Sequence, residues 1–218
     1  MRIWYGILLV SLLISCKTKK STINSQSNLL ENTTHLQDQS LAPFYHGVAS
    51  GDPYQNSIVL WTRVTPKTKM EAIEVSWEIS EDKNFENLVN KGQFTTYPSR
   101  DYTVKIVAAQ LSPNTKYYYR FSALDSHSIT GTTQTLPADD EPIKLAVVSC
   151  SNIEFGYFNA YAAIANEDVN AVLHLGDYIY EYGPDYYGDK TFHRKNIPAH
   201  EIISLQDYRD RYSQYIRS

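Results

Sequence analysis

Two continuous apolar runs, Ile143–Val148 and Val169–Leu175, constrain the fold of this chain more than any other feature. An apolar run without polar alternation reads as a strand covered on both faces, the usual condition in a parallel sheet. Between the runs, Tyr157–Ile164 carries aromatic and aliphatic residues at helical spacing, and Ser151 and Asn152 can cap the segment after them. Strand, helix and strand within about thirty residues make a βαβ unit. Its two strands run parallel and end at one edge of the sheet.

Upstream the period shortens to two. Ser57–Thr62, Ile73–Ile79, Tyr102–Ala108, Tyr117–Ala123 and Thr130–Thr135 are β-branched and aromatic runs set apart by turn residues. In Ile73–Ile79 every second residue is apolar, which turns one face to a core and the other to water. This pattern predicts an all-β sandwich of fibronectin-III or immunoglobulin type over residues 42–137, followed by an α/β domain over 142–218. Pro137 to Pro142 forms an acidic, proline-bounded linker. Trp61 and Trp77 read as core residues. Leu111–Tyr117 resembles the tyrosine corner of fibronectin type III domains, which gives Tyr117 a structural role. Near the end, Leu205, Tyr208, Tyr212 and Tyr215 or Ile216 fall on one stripe of a helix predicted over Glu201–Ile216.

The first residues read as an address. Met1-Arg2 precedes an apolar stretch from Ile3 to Ile14, too short to span a bilayer as a helix and suited to a signal peptide over residues 1–16. Leu13-Ile14-Ser15-Cys16 resembles the lipobox of bacterial lipoproteins, which implies lipidation at Cys16 and a membrane anchor in the bacterial envelope, periplasmic or surface-exposed. The alternative is an ordinary cleaved signal with an incidental cysteine. Residues 17–41 are rich in Lys, Ser, Thr, Asn and Gln, a composition suited to a flexible tether. The sequon Asn32-Thr33-Thr34 is read as chance. A balance of 20 basic to 24 acidic residues lacks the positive excess needed to neutralise a phosphate backbone, so nucleic acid is not an expected partner. Only 2 cysteines exclude a disulfide framework or a multi-cysteine metal site.

The two parallel strands end in Ser149-Cys150-Ser151-Asn152 and Gly176-Asp177-Tyr178-Ile179-Tyr180-Glu181. Ligands of open α/β sheets bind beyond such carboxyl ends. With strands about 4.8 Å apart, a Cys150 thiolate and an Asp177 carboxylate can reach one ion or two adjacent ions, and Tyr180 can return to the same side. Gly176 lets the backbone approach. A thiol and a phenol become good ligands only when a cation ionises them. Fe3+ suits the phenolate of Tyr180, and Ca2+ suits the remaining oxygens. Taken singly, Cys150 is equally a small apolar strand-end residue, and Asp177 and Tyr180 are turn and packing residues. His174 reads as a packed histidine, as Tyr157, Tyr161, Tyr178 and Tyr182 read as packing residues. His46 and His193 stay unassigned.

Together, Phe44–Pro53, Leu60–Val64, Val148–Asn152 and His174–Glu181 resemble the alkaline phosphatase D (PhoD-like) family of metallophosphoesterases, from about Phe44 onward. The resemblance implies a four-layer, calcineurin-like catalytic domain with Cys150 as a ligand to iron, Asp177 bridging metals and Tyr180 as a phenolate on iron. It implies hydrolysis of phosphate monoesters, and of some diesters, by metal-activated hydroxide on a small-molecule phosphate ester. Asn152 and Glu181 would support the ligands, and Arg194 is a weak phosphate-binding candidate. The family continues with an Asp-Asp-His cluster and later Asp and His ligands that find no match here. The α/β part therefore reads as the truncated start of that domain, and the chain alone as inactive or nearly so. The competing reading is a non-enzymatic surface lipoprotein with a fibronectin-like binding module.

Overall fold

The computed structural model describes residues 36–138 and 141–218. The signal segment, Cys16, the sequon, most of the tether and the Asp139-Asp140 pair of the linker lie outside the described residues. The first part is built from β1 (Val48–Gly51), β2 (Ser57–Arg63), β3 (Ile73–Ser80), β4 (Leu88–Thr96), β5 (Thr103–Ala109), β6 (Lys116–Ala123), β7 (Ser126–His127) and β8 (Gly131–Gln134). All their pairings are antiparallel, in a sheet ordered β1-β2-β5 and a second ordered β4-β3-β6-β7, with β8 also paired to β6.

The period of two explains the core. Ile58 and Leu60 of β2, Val104 and Ala108 of β5, Val75 and Ile79 of β3 and Phe121 of β6 are all buried. Tyr117 is fully buried, and its hydroxyl accepts a hydrogen bond from the Ser112 backbone N–H at 2.8 Å across the preceding turn. At β8, a Cβ on Gly131 would fall 2.3 Å from the Tyr119 ring, so the ring lies directly on that glycine. Trp77 is buried as expected. Trp61 differs: Leu60 and Thr62 take the inward positions of β2, so Trp61 faces out and meets Tyr212 edge-on at 6.3 Å.

The second part comprises β9 (Leu145–Val148), α1 (Asn159–Ile164), β10 (Ala171–His174) and α2 (Leu205–Ile216). β9 and β10 pair in parallel, with Val148 opposite His174, so their carboxyl ends do share an edge. The expected burial on both faces is not found. Leu145, Val147, Val172 and Leu173 are exposed, Val147 by 58%, because the described elements are too few and too short to cover the pair.

α2 starts later than its apolar stripe suggested. Ser204 caps it in a reciprocal capping box with Asp207, which halts the helix at Leu205. Its buried face is largely polar: Asp210, Arg211, Ser213 and Gln214 are buried beside Tyr215, whereas Leu205 and Tyr208 are exposed. Polar burial is tolerated because the groups are paired. The Gln214 side chain accepts from the Ile197 N–H at 2.9 Å and donates to the Lys195 carbonyl at 2.7 Å.

Candidate metal centre

Backbone pairing continues past the two strand ends and stitches the site together. The Leu175 N–H donates to the Val148 carbonyl, the Cys150 N–H to Gly176 and the Ser151 N–H to Asp177, at 2.8, 3.1 and 2.9 Å. Both turns then take left-handed backbone, with φ of 60° at Cys150 and 52° at Asp177. Non-glycine residues held there cost about 1–3 kcal/mol each and concentrate at functional sites. Glycine would adopt that φ without strain, so Cys150→Gly is expected to raise the unfolding free energy by about 1 kcal/mol while removing the sulfur. Urea unfolding of the two proteins measures it, and a destabilised variant contradicts the assignment of strain.

Those turns bring three side chains to one point. Asp177 Oδ2 accepts from the Cys150 thiol at 3.7 Å and from the Tyr180 hydroxyl at 3.2 Å. Burial, then hydrogen bonds to Cys150 and Asp177 and their charges, push the Tyr180 phenol above its ordinary pKa. One carboxylate oxygen thus serves two groups that each become anionic on losing a proton. A cation fits such a set, because it would satisfy sulfur, carboxylate and phenol donors together. Among the described residues, no group of three or more His, Cys, Asp or Glu assembles, and the third donor here is a phenol.

The other candidates are placed differently. The Asn152 carboxamide accepts from the Glu154 N–H and donates to the Tyr187 carbonyl, both at 2.9 Å, so it braces a loop. Glu181 is exposed, and its charge leads those raising the Tyr182 phenol. Arg194 donates to the Gly156 carbonyl and lies over the Tyr157 and Phe158 rings, which engages its guanidinium locally rather than offering it to phosphate. His174 accepts from the Gly176 N–H at Nδ1, while Nε2 meets Tyr161 and Ser151 at 3.0 and 3.1 Å. Both its nitrogens are spent on packing the strand end.

Two supporting groups escaped the sequence reading. Arg211 is fully buried and donates to the carbonyls of Tyr180, Ile197, Pro198 and His200. Glu154, 3% exposed, accepts from the Asn196 and Asp185 N–H groups at 2.9 and 3.1 Å. Gly188 lies so close that an added Cβ would sit 2.3 Å from Glu154 Cβ, which requires the absence of a side chain there. Arg211 thereby fixes the backbone of Tyr180, and Glu154 gathers the loop after it. A charged residue at helical spacing among aromatics gives no signal that it is buried.

A β-rich module thus leads into a parallel strand pair, with sulfur, carboxylate and phenol side chains meeting just beyond the strand ends. Residues 31–137 match the family model described as PhoD-like phosphatase, N-terminal domain, and residues 145–218 match that of PhoD-like phosphatase. The chain belongs to the PhoD-like phosphatase family. It is 44% identical over 182 residues to alkaline phosphatase D of Bacillus subtilis (strain 168), a match covering 79% of this chain and 31% of that relative. A solved structure titled "Structure of PhoD" superposes with a TM-score of 0.77 at 43% identity, covering 83% of this chain and 36% of the other. The chain thus spans about a third of the length of these relatives.

Proposed function

We propose that a protein containing this chain hydrolyses phosphate esters, monoesters foremost and diesters secondarily, at a metal centre to which this chain contributes Cys150, Asp177 and Tyr180. The observation that carries the reading is the convergence of the Cys150 and Tyr180 side chains on Asp177 Oδ2, with left-handed backbone at both Cys150 and Asp177. Cys150 and Tyr180 would hold Fe3+, Asp177 would bridge, and Ca2+ would take oxygen donors. When bound, the metals supply Lewis-acid polarisation of a phosphoryl oxygen and activation of water. The residues of this chain set that stage: Asp177 orients both neighbours, Arg211 fixes the Tyr180 backbone, and Asn152 braces the loop at Tyr187.

The same reading assigns the β module, residues 42–137, a fibronectin-III-like arrangement, and residues 142–218 the opening of a calcineurin-like α/β domain. Its support is the buried Tyr117 hydroxyl on Ser112 and the parallel pairing of β9 with β10. The assay that tests the function is hydrolysis of p-nitrophenyl phosphate by the protein at the length of its relatives. Turnover should vanish on chelation and return with iron and calcium. Turnover that survives exhaustive chelation contradicts the proposal.

Cys16 would carry the lipid that holds the protein to the bacterial envelope. Cys16→Ala is expected to shift the protein from the membrane fraction to the soluble fraction. Unchanged membrane recovery removes the anchor from the account.

A further inference from the structure

One imidazole touches both turns that carry the candidate ligands. His174 closes β10 opposite Val148, the last residue of β9. Its Nδ1 accepts from the Gly176 N–H at 3.2 Å, on the turn that leads into Asp177. Its Nε2 lies 3.1 Å from Ser151 Oγ, on the residue that follows Cys150, and 3.0 Å from the Tyr161 hydroxyl of α1. Ser151 Oγ and the Tyr161 hydroxyl also bond to each other, which closes the set. A backbone N–H can only donate, so Nδ1 is the acceptor and the ring proton sits on Nε2. The ring receives from one turn and donates toward the other.

Those turns need a tie. φ is 60° at Cys150, 118° at Gly176 and 52° at Asp177, and backbone in such regions persists only where its surroundings over-determine it. The Cys150 N–H holds the Gly176 carbonyl and the Ser151 N–H holds the Asp177 carbonyl. His174 binds the same two segments from the side, at the Gly176 N–H and the Ser151 hydroxyl. Ser151 is 6% exposed, which limits replacement of Nε2 by water. The ring itself lies between Tyr161, at 6.4 Å, and Tyr178, edge-on at 5.2 Å.

We propose that His174 is a positioning residue of the metal centre: through Gly176 and Ser151 it locks the Asp177 turn to the Cys150 turn and so sets the sulfur against the carboxylate. This role rests on the reading of Cys150, Asp177 and Tyr180 as metal ligands. Removing a group that orients ligands costs about 10–100-fold in metal affinity.

Asparagine puts an acceptor where Nδ1 stands but cannot reach Ser151, whereas phenylalanine keeps the ring and loses both nitrogens. Hydrogen exchange of the metal-free protein, at the length of its relatives, reads the two arms separately. His174→Asn should speed exchange about tenfold over Ser149–Asn152 and leave Leu175–Tyr178 at the parent rate. His174→Phe should speed both segments while α2 keeps the parent rate; should α2 loosen too, the asparagine variant decides. In iron titrations of the same proteins, His174→Phe should lower affinity about tenfold or more and displace the tyrosinate-to-iron band, and His174→Asn should regain part of both. Exchange over Ser149–Asn152 unchanged in His174→Asn, or iron affinity equal to that of the parent in the folded variants, overturns the role of His174 and leaves the metal centre standing. A parent that binds no iron overturns the metal centre and this role with it.

Discussion

Replacing Arg211 with methionine is expected to lower the unfolding free energy by about 3–5 kcal/mol, among the largest losses for a single side chain in this protein. The guanidinium is fully buried and supplies hydrogen bonds to four carbonyls, those of Tyr180, Ile197, Pro198 and His200. Methionine fills much of the volume but donates nothing, so several buried acceptors are left unsatisfied at about 1–3 kcal/mol each before relaxation. Burial pulls the Arg211 pKa down, and the surrounding anionic groups, Glu154 among them, oppose that shift. The guanidinium is thus a charge the fold needs, and its loss also leaves Glu154 less compensated. Urea unfolding monitored by tryptophan fluorescence gives the number. A loss below about 1 kcal/mol would mean that water or a neighbouring side chain readily replaces the guanidinium.

The second large effect is on chemistry. Asp177→Asn, in the protein at the length of its relatives, should reduce kcat/KM for p-nitrophenyl phosphate by more than about 100-fold, beyond the usual loss from a group that only supports a ligand. Asparagine keeps the size and one carbonyl oxygen but lacks the charge that meets the Cys150 thiol and the Tyr180 hydroxyl at a single atom. Metal content should fall with the rate. Because Asp177 is exposed and its side chain packs no core, the thermal transition of the metal-free variant should stay close to that of the metal-free parent. Wild-type turnover and metal content in the variant would remove Asp177 from the centre.

The fold was legible where burial follows a simple period. The alternation in Ile73–Ile79 leads directly to β3, and Tyr117–Ala123 leads to β6, because both strands put one face in the core. β4, Leu88–Thr96, was silent: it is an edge strand of Asn, Lys, Gly and Gln with only Thr96 buried, so its sequence carries no apolar rhythm. The runs at Ile143–Val148 and Val169–Leu175 revealed the strands and their shared direction but not their exposure. Apolar character states what a strand can bury, and neighbouring elements decide whether it does.

The site divided along similar lines. The meeting of Cys150, Asp177 and Tyr180 was readable because strand ends and a three-residue spacing are local properties of the chain. Arg211 and Glu154 were not, since their partners lie 11–14 and 31 residues away for Arg211 and 31 and 42 for Glu154. The apolar stripe of α2 misled for the same reason. Loop carbonyls of residues 195–200, and that of Tyr180, make a polar face worth burying, and a helix read in isolation cannot register them.

Absorption spectroscopy of the iron-loaded protein tests the metal centre most directly, with Tyr180→Phe measured beside the parent. Phenylalanine retains the ring that packs against Tyr182 and Tyr187 and loses only the hydroxyl on Asp177. The account predicts a visible tyrosinate-to-iron band in the parent and its disappearance in the variant. A parent that binds no iron, or a variant that keeps the band, would contradict it.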